Sequence, residues 1–190
     1  MAIKIFIDQG HNPRNPNAGA EGNGYYEQDI TYEVGKRTEE LLSANPNFEV
    51  LLSRNTPDEI LGVSVATSLR ARTDAANRWG ADFFISLHAN ASVVESASGS
   101  EGFAYSRASK GWPLGEDILF WLERTTGLPN RGMNVRPGLW VLRKSAMPAV
   151  LIELGFITNP SDAALMASDP GSFAVGVYNG ILQYCGFLEE

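Results

Sequence analysis

The 190-residue chain has only two histidines, and each follows a short apolar run that breaks into turn residues. His88 ends the run in FFISLHANA (83–91), and His11 stands just beyond IKIFID (3–8), after Gln9 and Gly10. Runs of this length and composition read as buried strands. Open α/β sheets bind their ligands just outside the carboxyl ends of such strands. If the two runs are neighbours in one sheet, both imidazoles reach the same crevice. A lone histidine is more often a surface or satisfied core residue, but two out of two at strand ends favours chemistry. A third run adds a carboxylate, because Glu153 interrupts AVLIELGF (149–156). An unpaired buried carboxylate costs several kcal/mol. Glu153 therefore either pairs with a buried cation or faces the crevice, and the second is expected.

Catalytic zinc usually takes three protein ligands and keeps one position for water. Glu27 is the candidate third ligand beside His11 and His88. It falls at the start of an amphipathic segment, where a helix dipole favours a carboxylate for purely structural reasons, so local pattern alone leaves its role open. Two neutral imidazoles and a carboxylate suit Zn2+, which acidifies water and polarises a carbonyl. Glu153, as a second and unligated carboxylate, would then take the proton of the attacking water and pass it to a leaving amine. These ligands are far apart in the chain, so their spacing is a weaker signal than a compact helical H-E-x-x-H motif.

The elements that must hold these groups follow from periodicity. Besides the three runs above, FEVLLS (48–53), residues 101–105 and LWVL (139–142) read as strands. Residues 28–44 carry Ile30, Val34, Leu41 and Leu42 at near-helical spacing, and residues 64–79 repeat the pattern with Gly80 as a C-terminal stop. Further helices are expected over 114–122, from Asn159-Pro160 through Met166, and over 173–184. Residues 11–24, 91–99 and 130–138 read as loops, being rich in Gly, Asn, Ser and Pro or partly basic. Strand, helix, strand, helix, strand at this spacing implies right-handed crossovers and a largely parallel sheet covered on both faces. The expected fold class is α/β, with residues 1–190 forming a single domain.

Composition bounds the function. A net charge of −7 without a basic block argues against nucleic acid as a partner. One cysteine, Cys185, rules out an internal disulfide and an all-cysteine metal site. The N-terminal MAIKIFID is too short for a signal-peptide core or a membrane span, so no export signal is visible. A monomer is expected.

The stretches IFIDQGHNP, GYYEQDI, LLSRNTPD, SLRARTDAAN, FFISLHANA and MPAVLIELGFITNPSD resemble the zinc-dependent N-acetylmuramoyl-L-alanine amidases of the autolysin and endolysin type. The resemblance spans nearly the whole chain. It implies a mixed, mostly parallel, twisted sheet of about six strands flanked by helices. It also implies His11, Glu27 and His88 as zinc ligands, Glu153 as catalytic acid and base, and peptidoglycan as substrate, cut between the lactyl group of N-acetylmuramic acid and L-alanine. One departure is local: family members often carry a glycine-rich run after the first histidine, whereas this chain has Asn12-Pro13-Arg14. Asn90, Glu101 and Arg131, in stretches expected to border the groove, are candidate substrate contacts, and Arg136 is a further basic residue in the same loop as Arg131. The expected place of action is the bacterial cell wall, for a phage lysin or for an excised domain of a secreted protein. Two other readings share the sequence features: a zinc peptidase cutting within the stem peptide, and a non-catalytic wall-binding module.

Overall fold

A computed structural model describes residues 2–188; Met1, Glu189 and Glu190, which the expected 1–190 domain includes, lie outside them. Six strands form one sheet: β1 (Ile3–Gln9), β4 (Phe48–Leu52), β5 (Phe83–Asn90), β6 (Ser100–Ala104), β7 (Asn130–Val135) and β8 (Ala149–Phe156). The order is β4-β1-β5-β8-β6-β7. Every pairing is parallel except that of β6 with β8. The expected mixed, mostly parallel α/β architecture is what the chain adopts. A second, two-stranded hairpin, β2 (Glu21–Gly22) with β3 (Tyr25–Tyr26), interrupts the stretch expected to be loop.

Alternation along the strands sends side chains to two faces. One face carries Ile5, Ile7, Ile85, Leu87, Val150, Ile152 and Leu154 under the helices α1 (Glu27–Ser43), α3 (Gly111–Thr126) and α6 (Pro170–Tyr184). The other carries Phe6, Phe84, Phe103 and Leu151 under α2 (Val65–Trp79) and the short α4 (Trp140–Lys144). A further helix, α5 (Pro160–Ser168), follows β8, with Asn159 accepting hydrogen bonds from the amides of Ser161 and Asp162 at its start. Ser64 caps α2 reciprocally with Thr67, and Gly80 ends it in the left-handed conformation, the stop expected from the sequence. Among the described residues, no helix is long and apolar enough to cross a membrane.

Two expectations are corrected. Residues 130–138 are not all loop, because Asn130–Val135 form β7. As the edge strand it pairs on one side only, so most of its side chains stay in solvent and the run looks polar. Met133 is its inward anchor: a Cβ added to Gly102 or Gly115 would run into its sulfur. LWVL is not a strand, because Trp140–Lys144 form α4, with Val141 and Leu142 buried and Arg143 and Lys144 exposed. A run of four apolar residues fits a strand and one turn of helix equally well; only packing against β8 and α2 decides it.

Candidate metal centre

His11 lies two residues past the end of β1, with its backbone in the left-handed region (φ 68°). That turn depends on Gly10. A Cβ at Gly10 would stand 2.6 Å from His88 Cε1 and 2.6 Å from the Leu87 carbonyl oxygen, so only glycine lets β1 pass this close to β5. The His11 carbonyl oxygen accepts a hydrogen bond from the Arg72 guanidinium. His88 is on the last turn of the pleat of β5, in register with Glu153 of β8. The two imidazole rings meet edge to face with their centroids 4.9 Å apart.

Glu27 begins α1 and is buried. The preceding hairpin delivers it: the Glu27 amide donates to the Ala20 carbonyl (2.9 Å), and Glu27 Oε2 accepts from the Ala20 amide (2.8 Å). Its other oxygen, Oε1, lies 2.9 Å from His88 Nδ1 and 3.2 Å from His11 Nε2, and accepts from the Ala89 amide at 3.1 Å. Burial alone would raise the Glu27 pKa, but hydrogen bonds and charge from both imidazoles outweigh it and hold the carboxylate well below its ordinary range. The chain thus brings one ligand atom each from His11, Glu27 and His88 within 4.8 Å of one another. His11 Nδ1 is buried without a hydrogen-bond partner. Two imidazoles and one carboxylate, closely grouped, form a donor set that fits a small divalent cation such as zinc.

Glu153 falls three residues before the end of β8 rather than at its last position. In register it stands between His88 of β5 and Glu101 of β6, and directly opposed residues of a sheet share a face. Among the described residues it has no basic ion-pair partner, and its Oε2 is buried without a hydrogen bond. Of the two alternatives open from sequence, pairing with a buried cation is therefore absent. Burial, then the charges of Glu27 and Glu101, push its pKa well above the usual carboxylate range.

The candidate substrate residues differ in how free they are. Asn90 Nδ2 donates to Glu101 Oε1, which places the pair beside Glu153 on the sheet. Arg131 donates to the Ser98 carbonyl (3.1 Å) and lies 5.0 Å over the Phe156 ring. It ties the 91–99 segment down rather than pointing freely to the cluster. Arg136 lies 5.2 Å over the Phe103 ring.

The sequence reading missed a buried network beneath the cluster. Arg72 on α2 is fully buried and makes five hydrogen bonds: to Asp8 Oδ1 (2.6 Å), the Gln9 and His11 carbonyls, Ser53 Oγ and Asn12 Oδ1. Asp8 Oδ2 accepts from Ser86 Oγ (2.7 Å). Thr31 of α1 donates to the Gly10 carbonyl (2.9 Å), and Gln9 ties β1 to Ser53 and Arg54. The signal was present in IKIFID: Asp8, like Glu153, is a carboxylate on a buried strand, and it takes the ion-paired alternative that Glu153 does not.

A family model described as N-acetylmuramoyl-L-alanine amidase matches residues 5–183. The chain is 35% identical over 183 residues to N-acetylmuramoyl-L-alanine amidase CwlM of Bacillus licheniformis, covering 94% of this chain and 67% of that one. It is 36% identical over 187 residues to the sporulation-specific N-acetylmuramoyl-L-alanine amidase of Bacillus subtilis, covering 95% and 68%. Its fold superposes with a TM-score of 0.84 on the catalytic domain of CwlV, an N-acetylmuramoyl-L-alanine amidase from Bacillus (Paenibacillus) polymyxa var. colistinus, at 30% identity over 98% of this chain and 99% of that one.

Proposed function

The chain belongs to the N-acetylmuramoyl-L-alanine amidase family, and from that premise we propose that it is a zinc-dependent peptidoglycan hydrolase that cuts the amide between the lactyl group of N-acetylmuramic acid and L-alanine. His11, Glu27 and His88 would hold the ion. When bound, zinc supplies the Lewis acidity that activates water and polarises the amide carbonyl. The protein's own part in the reaction falls to Glu153. Its carboxylate takes the proton of the attacking water as the new C–O bond forms, then delivers that proton to the alanine nitrogen as the C–N bond breaks. A base that returns a proton to a poor leaving group works best with its pKa near the working pH, and the buried, anion-flanked setting of Glu153 moves its pKa in that direction. A nearby cation pulls the same pKa back down, so the two influences oppose each other.

The observation that carries this reading is the unpartnered carboxylate of Glu153 set in register with a histidine of the His-Glu-His cluster. A structural ion pair would have left no such group, and a wall-binding module would have no use for it. In the same reading, residues 1–190 are one catalytic domain, the protein is a monomer, and it acts at the bacterial cell wall. The test is digestion of purified peptidoglycan followed by mass spectrometry of the fragments. Free L-alanine amino termini on an intact glycan are expected; cleavage inside the stem peptide would replace the amidase reading with the peptidase one. Glu153→Gln is expected to keep stoichiometric zinc while losing most turnover. Loss of zinc along with activity would show that Glu153 is a ligand and not the proton carrier.

A further inference from the structure

Asn90 and Glu101 are joined by a side-chain hydrogen bond, yet they stand on β5 and β6 with β8 between them. Two strand spacings amount to about 10 Å, so the two side chains reach toward each other across β8. They do so beside Glu153, because Glu101 is directly opposite Glu153 in register and His88, two residues before Asn90, flanks it on the other side. Directly opposed side chains start about 5 Å apart. Asn90 is held as the donor: its Oδ1 accepts from the Ala91 amide (2.8 Å), which turns Nδ2 toward Glu101 Oε1. The second oxygen of the half-buried Glu101, Oε2, accepts no hydrogen bond among the described residues, and no lysine or arginine there pairs with it. The fold thus fixes a second carboxylate next to Glu153 and leaves one of its oxygens unused.

A corner with two carboxylates and no paired cation suits a group that becomes positive there. In the amidase reading above, on which this inference rests, one atom of the substrate does so. The alanine nitrogen begins as a neutral amide N–H. When Glu153 delivers its proton, with the C–N bond still whole, the nitrogen becomes an NH2+ centre. The C–N electron pair then passes to the nitrogen as the bond breaks and leaves a neutral amine. The proton given up by the new carboxylic acid finally makes that amine an ammonium. We propose that Glu101, aimed by Asn90, receives this nitrogen: Oε2 accepts an N–H from it as it departs, so the protein holds the free amino terminus of its own peptide product. The contact is weak to a neutral amide and strengthens as charge builds, so it favours the transition state over the bound substrate. Asn90 touches no reacting atom and is a positioning residue.

Two probes test this: the released stem peptide with its free L-alanine amino terminus, and a desamino analogue in which propionyl replaces the terminal alanyl group. Calorimetry on the zinc-loaded protein gives both affinities without any turnover. A hydrogen bond between charged groups should make the free-amino peptide at least about ten-fold tighter than the analogue. Glu101→Gln keeps the shape and loses the charge, so it is expected to remove most of that preference while leaving affinity for the analogue, and zinc content, unchanged. Asn90→Ala lets the carboxylate turn away and is expected to reduce the preference in the same direction; it keeps the test open if Glu101→Gln fails to fold. In turnover, Glu101→Gln should lower kcat more than it changes KM. No preference in the unaltered protein, or a preference that survives Glu101→Gln, would overturn the proposal. An influence of Glu101 confined to the acidity of Glu153 gives that second result, slowing turnover with the binding ratio untouched. Digested peptidoglycan without new alanine amino termini would instead overturn the amidase reading.

Discussion

Replacing Arg72 by methionine removes a buried cation while keeping most of the side-chain volume. It leaves Asp8 with Ser86 as its remaining side-chain partner and strips hydrogen bonds from the Gln9 and His11 carbonyls, Ser53 and Asn12. Breaking a fully buried ion pair by deleting one partner costs about 3–5 kcal/mol, against a total stability on the order of 5–15 kcal/mol for a domain. The variant should therefore unfold at markedly lower urea concentration. The measurement is made on metal-free protein, because a bound ion would stabilise the native state by mass action and hide the loss. Asp8→Asn combined with Arg72→Met removes the stranded charge as well and should be less destabilised than Arg72→Met alone. Zinc affinity should fall about 10–100-fold in Arg72→Met, because the guanidinium fixes the peptide that carries His11. A loss of less than about 1 kcal/mol with zinc affinity unchanged would refute the reasoning and make the network incidental to the site.

The same pair sets a pH dependence. Burial would raise the Asp8 pKa, but the Arg72 charge and hydrogen bonds hold it below the ordinary value; its contribution to stability is thus fully present above the unfolded pKa of about 3.9 and is lost as pH falls through the folded value, which urea titrations of metal-free protein and Asp8→Asn should separate. Gly10→Ala should destabilise the protein by about 1–3 kcal/mol and weaken metal binding, since its methyl displaces His88; calorimetric zinc titration reads the second effect. His11→Ala and His88→Ala should each lose zinc and turnover together, and in the unaltered protein a chelator should abolish activity that added zinc restores. Glu101→Gln removes a negative charge that raises the Glu153 pKa, so the acid limb of the kcat/KM profile should move to lower pH.

The strands and helices that carry the site were legible because each holds a long, strongly periodic run. The His-Glu-His set was legible in part: strand-end placement singled out the histidines, while local pattern left Glu27 open between a third ligand and a helix-terminus charge. What local pattern could not supply was the hairpin of residues 21–26, too short to register, that turns Glu27 inward. Asp8 was overlooked although it obeys the same burial argument as Glu153. The difference is that Asp8 finds its cation on α2, 64 residues away, and such a partner shows only once the sheet is assembled. The two misread segments failed for opposite reasons. Residues 130–135 are a strand whose one-sided pairing lets it be polar, and residues 140–144 are a helix too brief to display its period.

The polar face of β7 has a further consequence for the molecule in solution. An outermost strand offers unpaired N–H and C=O groups to any extended chain that approaches. Here Asn130, Arg131, Asn134 and Val135 stand exposed along it, so an incoming strand would have to strip water from amides and a guanidinium. Substituting Asn130, Arg131 and Asn134 with valine and threonine would improve the fit to a pleated surface and invite the protein to self-associate through this border.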